Sequence, residues 1–318
     1  MMNLQRPLII AALFLIIAAC AKTGIKDVEK ADVNQTPTEN ADTVTFTNEE
    51  ADVPVFSKEY LEEFCMRELV DFPGPYERKK LKDVCQKIEV TPGCQSVNGD
   101  PIFHYDKMGR KEDAKRILVM SMIHGDEIPA GSVSRAWMTR LERISPRNSW
   151  RVIPIANPDG VKLRTRMNAA GVDLNRNFPS ADWDKAALFR WKTKKRSDKR
   201  RYPGPGPASE PETKCLMKAM DDFKPDFVIS VHTPLGVLDF DGPKIKSPNF
   251  GPLPWTSLGN FPGSLGRYMW VDRNVPVLTI ELKGADGLRR LAEFDLLQDI
   301  TGTIAIQADK MNKKRKKK

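Results

Sequence analysis

The chain has 318 residues, 40% of them hydrophobic, so it can form one large domain or two small ones with a sizeable core. Its net charge of +9 is concentrated in two runs: residues 190–201, with eight bases and one acid, and Lys313–Lys318, with six bases. Because the remainder is slightly acidic, the composition excludes a nucleic-acid-binding protein with basic residues spread over one face. The two runs are interpreted as solvated, a long loop and a frayed tail, or alternatively as contacts to anionic lipid or cell-wall polymer.

Residues 1–20 have the pattern of a lipoprotein signal peptide. After Arg6, the apolar run Pro7–Ala19 is too short to span a bilayer comfortably. It ends in Ile17-Ala-Ala-Cys20, which resembles a bacterial lipobox, whose cysteine becomes the lipidated N-terminus. The alternative is an ordinary anchor helix with a stray cysteine. We expect a lipid anchor at Cys20 and a periplasm-facing protein of the bacterial cell envelope. The outer membrane is favoured over the inner one because Ala21 follows the cysteine.

Two segments precede the main domain. Residues 21–57 are predicted to be a disordered acidic tether, since residues 21–56 contain eight acids, three bases and few large apolar side chains. Residues 58–87 have helical spacing of apolar residues, interrupted by Phe72-Pro-Gly-Pro75, and are predicted to be a helical lead-in.

Four cysteines remain after the lipidation site: Cys65, Cys85, Cys94 and Cys215. An even number in an oxidising envelope indicates disulfides, and three pairings are open. Zinc binding by these cysteines is not expected, because the chain contains no C-x2-C pair.

The main domain is predicted over residues 88–311, with a basic tail over residues 312–318. Apolar runs bounded by turns predict strands at 102–105, 117–123, 150–156, 227–231 and 277–280. Helical spacing predicts helices at 131–143, 210–223 and 288–311. Strands that alternate with helices indicate an α/β fold, here a three-layer α/β/α sandwich around a mixed, largely parallel sheet. Ligands of such sheets bind at the carboxyl ends of the strands.

Three of the predicted strands end in side chains that can bind a metal or transfer a proton. The first runs into His124 and Glu127, the second into His232 and the third into Glu281. Two imidazoles and one carboxylate form a three-ligand site with an open fourth position, as in a catalytic zinc site. Glu281 is then available as a general base.

The motifs HGDE, NPDG, RMNAAGVDLNRNFP, VHTPLG and VPVLTIEL occur in this order. Together they resemble the zinc metallocarboxypeptidase family over roughly residues 94 to 284. Within that family the likeness is greatest to the bacterial murein peptide amidases, which cut γ-D-glutamyl–diaminopimelate bonds. The resemblance implies one Zn²⁺ per chain and a peptidase activity.

The resemblance also implies roles around the metal. His124, Glu127 and His232 would bind zinc, and Glu281 would be the general base that assists attack by zinc-bound water. Asp173 would accept the free ring N–H of the first zinc histidine and so set its tautomer.

Further roles concern the substrate. Arg166 would polarise the scissile carbonyl and stabilise the oxyanion. Asn175 and Arg176 would hold the terminal carboxylate, for which a planar guanidinium is suited. The tyrosine that closes the site in carboxypeptidase A has only Tyr268 as a candidate here, and its register is open.

Asp239 and Asp241 lie one residue apart in an extended segment, so both side chains face the same side. Our hypothesis is that one of them binds the ammonium at the far end of diaminopimelate, while Arg176 binds the carboxylate there. The alternative is a solvated turn before Gly242-Pro243.

These expectations combine into a lipid-anchored, monomeric zinc peptidase that hydrolyses a C-terminal bond of peptidoglycan peptides. The alternatives are a general metallocarboxypeptidase acting on ordinary peptides, a deacylase of acylated amino acids, and a lipoprotein that binds wall peptides without cutting them.

Overall fold

The computed structural model describes residues 55–245, 253–284 and 290–316. Seven strands occur within these ranges: β1 (Glu89–Gln95), β2 (Pro101–Lys107), β3 (Arg116–Ser121), β4 (Ser149–Ile153), β5 (Phe227–His232), β6 (Leu235–Asp241) and β7 (Val277–Lys283). The α-helices of the same ranges are α1 (Lys58–Val70), α2 (Arg78–Cys85), α3 (Pro129–Arg143), α4 (Pro158–Leu163), α5 (Trp183–Lys194), α6 (Pro211–Phe223) and α7 (Leu291–Lys316).

The strands form one mixed sheet in the order β1-β2-β4-β3-β5-β7-β6. The central strands β4, β3, β5 and β7 are parallel, whereas β1, β2 and β6 pair antiparallel with their neighbours. The carboxyl ends of β3, β5 and β7 therefore lie side by side at one edge of the sheet.

Alternate residues of the central strands enter two separate apolar cores. On β3, Ile117 and Val119 join a core that contains residues of α1, α2, α3 and α7. Leu118 and Met120 join the other core, which contains the buried side of α6. Because successive side chains of a strand point to opposite faces, helices must cover both faces of the sheet. The predicted three-layer α/β/α sandwich is confirmed.

The helical lead-in, formed by α1 and α2, packs against α3. A disulfide joins Cys65 of α1 to Cys85 of α2, and both cysteines are buried. Arg135 of α3 is 1% exposed, and its guanidinium donates hydrogen bonds to five backbone carbonyls at 2.7–3.4 Å. These acceptors are Leu69, Val70, Phe72, Pro73 and Gly74. Cys94 and Cys215 are buried free thiols.

Several elements differ from the sequence-based prediction. The NPDG motif, residues 157–160, begins a helix that was not predicted, α4, which the Asn157 side chain caps by accepting from the Gly160 N–H at 2.9 Å. The segment with Asp239 and Asp241 is a true strand, β6. The final helix continues into the basic run as far as Lys316. In the described part of the chain, no helix is both long and apolar enough to cross a membrane.

Candidate active site

The HGDE turn lies between the end of β3 and Pro129, the first residue of α3. Its Gly125 is pressed against α4, because a Cβ there would lie 1.9 Å from the carbonyl carbon of Gly160. The glycines of the HGDE and NPDG motifs are therefore in contact, and neither position has room for a larger residue. This contact sets where the turn leaves the sheet, and with it the positions of His124 and Glu127.

The side chains of His124, Glu127 and His232 converge, with one ligand atom from each within 4.8 Å of the others. One oxygen of Glu127 lies 2.7 Å from Nδ1 of His124, and the other lies 2.8 Å from Nδ1 of His232. The two Nδ1 atoms are 3.2 Å apart. Both imidazoles are 3% exposed. A buried cluster of two ring nitrogens and a carboxylate has the donor set that zinc requires.

The second nitrogen of each imidazole also has a partner. Nε2 of His124 donates to Oδ1 of Asp173 at 3.3 Å, and Nε2 of His232 lies 2.8 Å from the hydroxyl of Ser230. A carboxylate can only accept, so Asp173 favours the tautomer of His124 with its proton on Nε2, which leaves the lone pair of Nδ1 to a metal bound in the cluster. The residues present therefore fit a zinc ion held by His124, Glu127 and His232.

The carboxylates of the cluster are strongly acidic. Burial opposes a charge on Glu127, yet the imidazoles of His124 and His232 hold its pKa well below the usual range. Burial also opposes a charge on Asp173, but Arg166 and the hydrogen bond from His124 hold the pKa of this group well below its usual range. Both groups are carboxylates at neutral pH, as a metal ligand and an acceptor of an imidazole N–H must be.

Arg166 lies directly beside the ligand atoms. Its Nε donates to Oδ2 of Asp173 at 2.9 Å, its Nη2 forms an ion pair with the same oxygen at 2.9 Å, and its Nη1 lies 3.1 Å from Nδ1 of His124. Asp173 thus holds His124 with one oxygen and Arg166 with the other. The guanidinium is fixed where it can face a polarised oxygen in the cavity.

Glu281 is the register partner of His232 on the neighbouring strand β7. Its Oε2 accepts from the backbone N–H of Leu235 at 3.4 Å. Burial raises the pKa of Glu281 above its usual value; His232 opposes this shift and Glu127 adds to it. A carboxyl with a raised pKa, placed next to the candidate metal site, is suited to take up and return a proton.

These groups open into a cavity of about 690 Å³. Of the residues predicted from the sequence, those that line it are His124, Glu127, Arg166, Asn175, Arg176, His232, Asp239, Asp241 and Glu281. Asn175 is held by the backbone, since its Oδ1 accepts from the N–H of Leu265 at 2.9 Å. Burial lowers the pKa of Arg176 to about 10, and the guanidinium still carries its charge at neutral pH.

Asp239 and Asp241 both face the cavity from β6, as the alternation of a strand requires. Asp239 is 6% exposed. Burial raises the pKa of both acids, that of Asp241 to about 7 with a contribution from the charge of Asp239. Gly266 packs on this wall, where a Cβ would lie 2.1 Å from Oδ2 of Asp241. Neither acid forms an ion pair with another of the described residues, so the two are suited to bind a cation.

Tyr268 does not close the cavity in this arrangement. Its ring stacks on Phe178 at a centroid distance of 5.7 Å, and its hydroxyl accepts from Nη1 of Arg273 at 3.3 Å. It is absent from the described residues that line the cavity.

The basic run 190–201 is not a long solvated loop. Its first five residues belong to α5, and its last three form a 3-10 turn, Lys199–Arg201. Arg200 and Arg201 line the cavity, although both are exposed to solvent on one side. Nη2 of Arg200 lies 2.6 Å from Oδ2 of Asp126 in the HGDE turn.

Sequence reasoning overlooked some of the residues that build the site. Ser230 had a detectable signal, because it precedes His232 by two residues on a strand and therefore faces the same side. Arg200, Arg201 and Phe261 had none, because they reach the cavity only through the folding of loops. The lipidation site predicted at Cys20 lies outside the described residues.

A family model for zinc carboxypeptidases matches residues 85–238. Among curated proteins, murein peptide amidase A of Escherichia coli strain K12 is 35% identical over 147 residues, which are 46% of this chain and 59% of that protein. Murein peptide amidase A of Vibrio campbellii is 32% identical over 198 residues, which are 59% of this chain and 77% of that protein. The chain thus spans less than two thirds of the E. coli relative.

Solved structures show the same fold at lower identity. Bovine thrombin-activatable fibrinolysis inhibitor superposes with a TM-score of 0.54 at 17% identity, covering 82% of this chain and 98% of that one. The resemblance first indicated by the order of the motifs is confirmed by these matches.

Proposed function

Because the chain belongs to the zinc carboxypeptidase family, we propose that it is a zinc-dependent hydrolase of peptidoglycan peptides. It would cut the bond before a C-terminal residue, of the γ-D-glutamyl–diaminopimelate type. The observation that carries this proposal is a single cavity that contains the His124–Glu127–His232 cluster, Arg176 and the acid pair of β6. Two relatives are named murein peptide amidase A, which supports the same substrate class.

When bound by the three side chains, zinc would polarise the scissile carbonyl and lower the pKa of an attacking water. Glu281 would accept the proton of that water and later deliver it to the leaving amine. Arg166 would donate to the oxyanion, held in place for this by Asp173. Asp173 and Ser230 would keep both imidazoles oriented toward the metal.

Substrate recognition would divide between two charged regions of the cavity. Arg176 and Asn175 would hold the terminal carboxylate of the substrate. Asp239 or Asp241 would bind the ammonium of a diaminopimelate side chain, which an uncharged side chain could not offer. Burial of Asp239 strengthens such a contact, because a buried carboxylate gains more from a cationic partner than an exposed one.

The protein would act in the bacterial envelope, held by a lipid on Cys20 and facing the periplasm from the outer membrane. The lipobox-like sequence Ile17-Ala-Ala-Cys20 supports this localisation. The Cys65–Cys85 disulfide is consistent with it, since disulfides persist in oxidising compartments.

The test is mass spectrometry of muropeptide digests made with the wild-type protein and Glu281→Gln, with bound zinc quantified in both. We expect release of diaminopimelate by the wild type, a rate lower by about 10²- to 10⁴-fold in the variant, and equal zinc. Glu112→Gln, an exposed acid outside the cavity, is the control and should behave as wild type. Zinc without muropeptide cleavage would point to ordinary peptides or acylated amino acids. Absence of zinc from both proteins would overturn the mechanism.

A further inference from the structure

Phe261 gathers two arginines at the cavity. Its ring lines the cavity, and the guanidinium carbons of Arg176 and Arg190 lie 5.0 and 4.5 Å from the ring centroid. The face of an aromatic ring attracts cations, so this contact holds both guanidiniums near the cavity wall. Arg190 belongs to α5, and Arg176 lies in a different segment of the chain, so only the tertiary fold brings the two side chains together.

Hydrogen bonds also fix the rest of the basic run beside the cavity. The indole N–H of Trp191 donates to the Asp198 carbonyl at 2.8 Å, and the Asp198 side chain accepts from the N–H of Arg200 at 3.0 Å. The carbonyl of Tyr202 accepts from the N–H of Asp173 at 2.8 Å. Asp173 also accepts a hydrogen bond from His124. The residue that directly follows the basic run is therefore hydrogen-bonded to a residue that orients a candidate metal ligand.

The positive charge on this wall is only partly balanced. Arg200 is paired with Asp126, and Arg201 lies 3.3 Å from Asp198, an exposed pair. In the described part of the chain, Arg176 and Arg190 form no ion pair within 4 Å. Burial lowers the pKa of Arg176; the carboxylate of Asp173 opposes this shift, and the like charges of Arg166, Arg201 and Arg190 add to it. A bound anion would relieve this repulsion.

We propose that Arg190 and Arg201 form, beside Arg176, a second anion-binding subsite that takes the second carboxylate of a C-terminal dicarboxylic residue. The proposal rests on the proposed function, and it replaces the sequence-based hypothesis that Arg176 binds the far carboxylate, because Arg176 is assigned to the terminal carboxylate. Guanidiniums bind carboxylates through two parallel hydrogen bonds. Arg176 and Arg201 line the cavity that also contains the acids of β6, and Arg190 contacts the ring of Phe261, which lines the same cavity. A substrate side chain with both an ammonium and a carboxylate would then bind the acids of β6 through its ammonium and the arginines through its carboxylate.

The test compares meso-diaminopimelate with lysine, which lacks only the second carboxylate, by calorimetric titration of the zinc-loaded full chain. We expect the wild type to bind meso-diaminopimelate about 10- to 100-fold more tightly than lysine. Arg201→Gln should remove most of that difference without weakening lysine. Lys199→Gln removes the same charge from the same 3-10 turn, but Lys199 does not line the cavity; it should change neither affinity.

Equal weakening of both ligands by Arg201→Gln, or an equal effect of Lys199→Gln, would overturn the subsite in favour of general electrostatic attraction. A second pair, N-acetylglutamate and N-acetylglutamine, separates this outcome from failure of the proposed function. If only the acetylated pair is discriminated, and Arg201→Gln abolishes that discrimination, the subsite stands and the diaminopimelate assignment fails. If neither pair is discriminated by the wild type, the subsite is wrong.

Discussion

The Nε2 atom of His232 lies 2.8 Å from the hydroxyl oxygen of Ser230, two residues earlier on β5. This contact orients a candidate metal ligand from within its own strand. Ser230→Ala should therefore lower zinc affinity by about 10- to 100-fold while leaving the fold intact. Competition with a chromophoric chelator measures this change. Ser132→Ala, which removes a buried hydroxyl bonded to the Pro73 carbonyl outside the cavity, is the matched control. Equal zinc affinity in the two variants would contradict a positioning role for Ser230.

Selectivity for a cationic side chain should rise with pH. The pKa of Asp241 is raised to about 7, so its carboxyl is mostly neutral at pH 6 and mostly ionised at pH 8. An ammonium binds the ionised form, and the affinity ratio of lysine to norleucine should increase up to about tenfold over this interval. The ratio cancels pH effects common to both ligands. A pH-independent ratio would contradict the role of Asp241. In the double variant Asp239→Asn, Asp241→Asn, the preference should disappear at every pH.

Acid should destabilise the fold through His104, a residue of β2 that is 5% exposed. Burial and the charge of Arg151 together lower its pKa to about 4, against the opposing carboxylates of Asp106 and Asp222. A depressed folded-state pKa means that the unfolded chain binds the proton first. The stabilisation by neutral His104 is complete above about pH 6.5 and is lost as the pH falls toward 4.

The expected loss is about 3 kcal/mol of unfolding free energy between pH 7 and pH 4. Urea unfolding of the wild type and His104→Gln, both with metal removed, measures it at successive pH values. The variant should lack this part of the pH dependence. Parallel curves for the two proteins would show that His104 is protonated equally in the folded and unfolded chains.

Replacing Arg135 should destabilise the protein much more than replacing a surface arginine of the same helix. Arg135→Met leaves five carbonyls of the lead-in without their donor, at a cost of at least about 3 kcal/mol in unfolding free energy. Arg143, the last residue of the same helix, is exposed, so Arg143→Met should cost about 0.5 kcal/mol or less. Similar urea midpoints for the two variants would refute this difference.

The central sheet could be predicted because its residues show strong local patterns. The continuous apolar runs of β3 and β5 are typical of strands covered on both faces, and the spacing in α3 and α6 is helical. Strand β1 was missed because Pro92 and Gly93 interrupt it, and its pairing with β2 supplies what its own sequence lacks. Helix α5 was hidden by its charges, since only Trp183 and Ala187 are buried.

The same distinction applies to the site. The candidate metal ligands occur in motifs at the ends of strands, and strand ends of a parallel sheet must meet at one edge. The acid pair of β6 was detectable through its spacing of two residues. In contrast, Arg201 and Phe261 lie on connecting segments, and only tertiary contacts such as that between Tyr202 and Asp173 bring such segments to the cavity. The local sequence around Arg201 and Phe261 therefore does not predict that these residues reach the cavity.

The two sides of the contact between Arg135 and the lead-in tolerate substitution differently. All five acceptors are backbone carbonyls, which every amino acid possesses, so changes of side chain between residues 69 and 74 leave them in place. The donor is one side chain, and lysine cannot reproduce its planar fork of N–H groups. The hydrogen bonds of this interface therefore constrain one side chain, that of Arg135, whereas Leu69 and Phe72 are constrained separately by their burial in the core.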